Sequence, residues 1–75
     1  MNDNMVAFIG AGNMARCVIA AMVKAGYPAD NIIAANRSQP KLTALAADFG
    51  IQTTLDNVEA VTKADVIVLA VKPQM

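Results

Sequence analysis

The feature that most constrains the fold of this 75-residue chain is a glycine-rich turn between an apolar segment and a helical one. Residues 5–9 form an apolar run without alternating polar residues, which is typical of a strand buried on both faces. The run stops at Gly10, and a helical pattern follows over residues 13–25. Strands buried on both faces occur in parallel sheets covered by helices, so the turn predicts an α/β fold.

The rest of the chain repeats this alternation of strand and helix. Apolar runs at residues 32–35 and 66–71 predict two further strands, and the segment 51–54 predicts another strand between them. Residues 40–49 and 57–62 predict two further helices. The order β-α-β-α-β-α-β predicts parallel strands joined by right-handed crossovers. Because the sequence stops where a fourth helix would start, we expect a Rossmann-type parallel sheet that is truncated before completion.

The first helix is predicted to pack on the sheet through one apolar face. The residues of that face follow helical spacing, and they are Met14, Val18, Ala21, Met22 and Ala25. Cys17 lies on the flank of this face, and the chain has no His that would deprotonate it. Cys17 is therefore predicted to be a buried structural residue.

The turn itself reads G-x-G-x-x-A, an accepted form of the dinucleotide fingerprint. Gly10 permits the tight turn out of the strand, and Gly12 lets a pyrophosphate approach the backbone. Ala15 is small enough for close packing of the helix against the strand. The N–H groups and the positive end of the helix dipole would then face the anion. The alternative is an ordinary tight turn in which glycine serves only backbone geometry.

The end of the second strand indicates which dinucleotide would bind. NAD enzymes usually carry Asp or Glu there, but this chain has Asn36, Arg37 and Ser38. Arg37 would attract a 2′-phosphate, and the other two side chains would donate hydrogen bonds to it. These residues favour NADP over NAD. The alternative is a solvated arginine followed by a serine that only caps the next helix.

Two further polar residues follow the third and fourth strands. Lys72 would meet a phosphate, a ribose hydroxyl or a substrate group, or would be a surface lysine before Pro73. Asn57 would reach an adenine or ribose edge, although a role as helix cap is the simpler interpretation. Either Asp56 or Asn57 is expected to cap the third helix.

Composition excludes several classes of function. The chain has no His, so a Ser-His-Asp triad is impossible within it, and we predict no catalytic residue and no metal site. A single Cys forms no internal disulfide, and 6 Lys+Arg against 6 Asp+Glu leave no electrostatic footprint for nucleic acid. A membrane span needs about 20 apolar residues, far more than any run here. We therefore expect no membrane partner and a cytoplasmic location.

Together these residues make the chain resemble the N-terminal segment of the pyrroline-5-carboxylate reductases. The resemblance covers the whole chain and is carried by Phe-Ile-Gly-Ala-Gly-Asn-Met-Ala at residues 8–15, Asn-Arg-Ser at 36–38, Asp-Asn at 56–57 and Leu-Ala-Val-Lys-Pro-Gln at 69–74. It implies reduction of Δ1-pyrroline-5-carboxylate to L-proline by hydride transfer from NADPH, with NADH as the alternative cofactor.

The resemblance also implies roles for individual residues. The pyrophosphate would be held by Gly10, Ala11, Gly12, Asn13 and Met14, and the 2′-phosphate by Asn36, Arg37 and Ser38. Asn57 matches a position that contacts the cofactor. Val71 and Lys72 match the segment that passes near the nicotinamide half.

The chain departs from this family in length. The family's proteins are several times longer and add a helical domain for dimerisation and substrate binding, so residues 1–75 are expected to be inactive alone. Two alternatives remain open: a non-catalytic dinucleotide-binding or assembly module, and part of a related 3-hydroxyisobutyrate or 6-phosphogluconate dehydrogenase. An unpaired apolar edge on the fourth strand would pair with another chain, so a homo-oligomer is expected.

Overall fold

In the computed structural model, which describes residues 4–70, a parallel sheet of four strands is flanked by helices. Its elements are β1 (Val6–Ile9), α1 (Asn13–Lys24), a single 3-10 turn (Ala29–Asn31), β2 (Ile32–Ala35), α2 (Gln39–Phe49), β3 (Gln52–Thr54), α3 (Asn57–Lys63) and β4 (Val66–Leu69). The predicted α/β order of strands and helices is confirmed, and the 3-10 turn is the one element among the described residues that was not predicted.

The strands are arranged in the order β3-β2-β1-β4, and every pairing is parallel. This is the order of the first four strands of a Rossmann sheet. The sheet therefore reverses its strand order at β1, with β2 on one side and β4 on the other. In open α/β sheets, such a reversal creates a crevice at the carboxyl ends of the strands, where ligands bind.

The core lies on both faces of β1 and β2. On one face, Phe8 and Ile32 pack with residues from α1 and α2, among them Ile19, Leu42 and Leu45. On the other face, α3 contributes one fully buried residue, Ala60, to a smaller cluster with Ala7, Ile33 and Ala35. Both faces of the central strands are thus covered, as their uninterrupted apolar runs indicate.

The predicted sheet-facing surface of α1 is wrong, because the buried residues in its first half lie one position after the predicted ones. Ala15 and Ile19 are fully buried, and Met22 and Val23 pack partly against the core. Met14 is 58% exposed and Val18 is 40% exposed. Most sides of this helix carry apolar residues, so spacing alone does not single out one face. The small Ala15 of the glycine turn decides the rotation because it lies directly against the sheet.

Three of the other residues predicted to face the core also lie outside it. Ala21 and Ala25 are exposed, and so is Cys17, which contradicts its predicted burial. Residue 17 lies two positions beyond Ala15, which rotates it by about 200° from the buried side at 3.6 residues per turn. The same rotation that buries Ala15 therefore exposes Cys17.

Candidate functional site

The glycine turn connects the carboxyl end of β1 to the first turn of α1. Gly10 is buried and has a φ of 109°, a conformation that residues with a side chain rarely adopt. Its N–H donates to the carbonyl of Ala35 at 2.7 Å, which ties the turn to the end of β2. Ala15 follows fully buried, as its predicted role in close packing requires. The predicted backbone geometry of the turn is confirmed at both positions.

Gly12 lies where the turn enters α1, and the space beside it is open. Its φ of −79° is available to any residue, so glycine is not required here by backbone conformation. A Cβ added at Gly12 would meet no atom within 4 Å. The first turn of α1 also has no side-chain cap and no acidic residue. No side chain therefore caps this helix end, and uncapped N–H groups at a helix N-terminus are suited to binding a phosphate group.

The polar residues after β2 lie beside this turn. Ile9 of β1 is aligned with Ala35 of β2, so both strands end at the same level of the sheet. Asn36 donates its N–H to the carbonyl of Thr54 at 3.3 Å. Arg37 is exposed and makes no ion pair among residues 4–70. The fold thus brings the two segments of the predicted dinucleotide site to one edge.

Ser38 occupies the N-cap position of α2, but its side chain makes no capping hydrogen bond. The serine therefore begins the helix in the predicted place without using its hydroxyl for the helix. A hydroxyl that is not engaged in capping remains available to a ligand at the end of β2.

A cleft of about 250 Å³ separates the start of α1 from α2. Its walls come from the glycine turn and from both helices, and they consist of Ala11, Gly12, Asn13, Arg16, Lys41, Ala44 and Leu45. Arg16 forms an ion pair with Asp48 and lies over the ring of Phe49, 5.1 Å from its centroid. Sequence analysis missed Arg16 and Lys41, because their positions depend on how two helices pack together.

Asn57 is the first residue of α3 and is not its cap. The Asp56 carboxylate accepts the N–H of Val58 at 2.9 Å and so caps the helix. The exposed Asn57 side chain makes no such bond. Nearby, the pKa of Glu59 is lowered, first by the hydrogen bond that its carboxylate accepts from Thr54 and then by the positive charge of Lys63, 3.5 Å away. Those contacts hold the first turn of α3 near the end of β3.

The end of β4 completes the same edge, since the N–H of Ala70 donates to the carbonyl of Ile9 at 2.8 Å. Val71 and Lys72, predicted to pass near the nicotinamide, lie outside the described residues. Within residues 4–70 there is no group of three or more His, Cys, Asp or Glu that would hold a metal ion. No helix in that range is both long and apolar enough to cross a membrane.

Comparison with known proteins identifies the family of the chain. Residues 5–75 match the family model described as NADP oxidoreductase, coenzyme F420-dependent. This description supports a dinucleotide cofactor, in agreement with the glycine turn. The match extends over almost the whole chain.

Individual relatives carry a more specific name. The chain is 53% identical to a pyrroline-5-carboxylate reductase from Vibrio alginolyticus and covers 28% of its length. It is 44% identical to the reductase of the same name from Haemophilus influenzae and covers 27% of that protein. All 75 residues are aligned in both cases, so the chain spans about a quarter of the length of these relatives.

A solved structure agrees in fold as well as sequence. A pyrroline-5-carboxylate reductase from Coxiella burnetii superimposes on 96% of this chain with a TM-score of 0.92 and 43% identity, and the match covers 27% of the solved chain. The resemblance indicated by the motifs is therefore confirmed. The chain belongs to the family of NADP oxidoreductases described as coenzyme F420-dependent, in which its motifs and its fold are those of the dinucleotide-binding part of a pyrroline-5-carboxylate reductase.

Proposed function

We propose that this chain supplies the dinucleotide-binding part of a pyrroline-5-carboxylate reductase and that its cofactor is NADP(H). The observation that carries the choice of NADP(H) is the environment of Arg37. Its guanidinium is exposed at the end of β2, beside the glycine turn, and has no ion-pair partner among residues 4–70. No carboxylate stands at this strand end to accept a ribose hydroxyl and repel a phosphate.

In this proposal, the glycine turn and the residues after the strands bind different parts of the cofactor. Backbone N–H groups at the start of α1 hold the pyrophosphate, with the five residues Gly10, Ala11, Gly12, Asn13 and Met14 around it. Asn36, Arg37 and Ser38 bind the 2′-phosphate. Asn57 contacts the adenosine half, and Val71 and Lys72 lie along the nicotinamide half by motif match.

When bound, NADPH supplies a hydride to the imine carbon of Δ1-pyrroline-5-carboxylate, whose nitrogen takes up a proton to give L-proline and NADP⁺. The chain's own residues bind and orient the cofactor for this step. We propose that the substrate is held by a helical domain outside residues 1–75, as the resemblance implies. These residues alone would then bind cofactor without catalysing the reaction.

The test is a calorimetric titration of the chain with NADPH and with NADH, repeated for Arg37→Gln. We expect NADPH to bind more tightly, and Arg37→Gln to weaken NADPH binding by about tenfold or more, the loss of one charge-assisted hydrogen bond. NADH binding should stay unchanged. Lys24→Gln is the control, because Lys24 lies in the last turn of α1, far from the glycine turn.

Each of the other outcomes has a distinct meaning. Equal affinities for NADPH and NADH would contradict NADP selectivity and leave the glycine turn as a general dinucleotide site. Binding of neither nucleotide would contradict independent cofactor binding by residues 1–75.

We also propose a homo-oligomer and a cytoplasmic location. Within residues 4–70, β4 pairs only with β1, so its outer edge has unpaired backbone groups that would accept another strand. A reducing compartment would keep the exposed Cys17 as a free thiol.

A further inference from the structure

The ion pair between Arg16 and Asp48 joins two helices that are separate along the chain. Arg16 lies on α1 and Asp48 lies on α2, 32 residues apart in the sequence. The guanidinium of Arg16 also lies over the ring of Phe49, 5.1 Å from its centroid, and Phe49 packs against the core. The beginning of α1 is therefore attached to the end of α2 by one side chain with two contacts.

Each charge of this pair is placed unfavourably in its own helix. Arg16 is the fourth residue of α1, near the positive end of the helix dipole. Asp48 is the second-to-last residue of α2, near the negative end. Each of these helix ends favours a side chain of the opposite charge. The placement of the two residues is therefore explained by the attraction between α1 and α2, and not by the needs of either helix alone.

The backbone of Arg16 connects this contact to the glycine turn. The N–H of Arg16 donates to the carbonyl of Gly12 at 3.0 Å, and both residues line the cleft between α1 and α2. On the other side of the cleft, α2 is held in the core by the buried side chains of Leu42 and Leu45. Because α2 is anchored in this way, the contacts of Arg16 fix the glycine turn relative to α2.

The separation of α1 and α2 matters to a ligand that contacts the beginnings of both helices. In the proposed function, the start of α1 holds the pyrophosphate, and residues 36–38, which lead into α2, hold the adenosine 2′-phosphate. A site that already has the required separation binds such a ligand at a lower cost. The Arg16 and Asp48 side chains are 43% and 47% exposed, and a pair this exposed adds little to overall stability. Its main effect is therefore expected on this separation.

We propose that Arg16 is a positioning residue, which sets the separation between the glycine turn and the start of α2 through its contacts with Asp48 and Phe49. Arg16 acts through these partners and not by contacting the cofactor, because its guanidinium is already engaged by a carboxylate and an aromatic ring. The role assigned to Arg16 rests on the proposed function, since it concerns binding of the same cofactor.

The experiment is a titration of the full chain with NADPH and with NADH, repeated for Arg16→Gln, Asp48→Asn and the double variant. The temperature is one at which circular dichroism shows every variant to be folded. We expect each single variant to weaken the binding of both nucleotides by up to about fivefold, the upper end of what an exposed ion pair contributes. The double variant should bind no more weakly than Arg16→Gln, because both substitutions remove the same contact. Arg16→Lys should retain most of the affinity, since it keeps the ion pair.

The Asp48→Asn variant separates positioning from direct binding. This substitution frees the guanidinium of Arg16 and removes a negative charge near the cleft. If Arg16 contacted the phosphates itself, Asp48→Asn would strengthen nucleotide binding, and that result would overturn the proposal. Unchanged affinities in Arg16→Gln and Asp48→Asn, with only a lower unfolding temperature, would also overturn it and leave a purely structural ion pair.

The control is Lys63→Gln, which breaks an ion pair of similar exposure within α3, on the opposite face of the sheet. We expect Lys63→Gln to leave both affinities unchanged. An equal weakening by Lys63→Gln would show that the loss of any exposed ion pair has this effect, and it would overturn the proposal. Failure of the proposed function would be visible separately, as a lack of NADPH preference in the unmodified chain, and would leave the expected ratios between the variants unchanged.

Discussion

Gly10 and Gly12 belong to the same turn, but each is glycine for a different physical reason. Gly10 has a φ of 109°, where a Cβ is sterically disfavoured. Gly12 has an ordinary φ of −79°, and an added Cβ there would meet nothing within 4 Å. The first glycine therefore serves the fold of the chain, and the second leaves room for a ligand.

This difference predicts that one alanine substitution mainly affects stability and the other mainly affects nucleotide binding. Gly10→Ala should lower the free energy of unfolding by about 1–2 kcal/mol, because alanine must adopt a positive φ. Gly12→Ala should change the free energy of unfolding by less than about 1 kcal/mol, the range expected at an N-cap position. The same substitution should weaken the binding of both NADPH and NADH. Urea unfolding and nucleotide titration measure the two quantities. Equal destabilisation by both variants would contradict the assignment.

At the scale of the element, substitutions in α1 show which face of this helix is buried against the sheet. Ile19 is fully buried, whereas its neighbour Val18 is 40% exposed. Ile19→Val removes one methylene equivalent and should cost about 0.5–1.5 kcal/mol. Val18→Ala removes more atoms and should still stay within about 0.5 kcal/mol. Urea unfolding of the two variants gives the comparison. A larger loss of unfolding free energy for Val18→Ala than for Ile19→Val would show that the face predicted from sequence spacing is the buried one.

The start of α3 separates a capping role from a binding role in two adjacent residues. Asp56→Ala removes the cap and should lower the free energy of unfolding by about 0.5–2 kcal/mol. Asn57→Ala should change the free energy of unfolding by no more than about 0.5 kcal/mol and should weaken the binding of NADPH. Thermal unfolding monitored by circular dichroism measures the change in stability, and nucleotide titration measures the change in NADPH binding. The reverse pattern would show that Asn57 belongs to the helix and not to the cofactor.

At the scale of the whole molecule, the sheet is covered unevenly. β1 and β2 are buried on both faces, while β4 leaves Val66 45%, Ile67 45% and Leu69 69% exposed. The strand has no charged residue to discourage pairing with another chain. These features favour association through β4.

We therefore expect the chain to form dimers or larger species in light scattering as its concentration increases. Leu69→Lys should shift the population toward monomer, because a charged edge strand pairs poorly. Leu55→Lys is a matched control, since Leu55 is 57% exposed and lies outside the strands. A chain that stays monomeric at every concentration, or an equal effect of both variants, would argue against association through β4.

Some elements could be predicted almost residue by residue. The strand at residues 32–35 was predicted with its observed bounds, because polar residues on both sides of the apolar run mark where the buried strand begins and ends. The glycine turn was equally well defined, because its positive φ at Gly10 and small residue at Ala15 are local requirements. The exposure of Cys17 was missed, because apolar residues on most sides of α1 leave its rotation undetermined by spacing.

The sequence by itself determined the order of strands and helices, the position of the glycine turn and the resemblance to the reductase family, since each depends on neighbouring residues. Only the tertiary structure decided that β4 pairs with β1 and that Ala15 turns α1 toward the sheet. It also decided that Arg16 meets Asp48 while Lys41 remains open to the cleft. These pairings join residues far apart in the chain, and their geometry is set by packing, which local patterns do not encode.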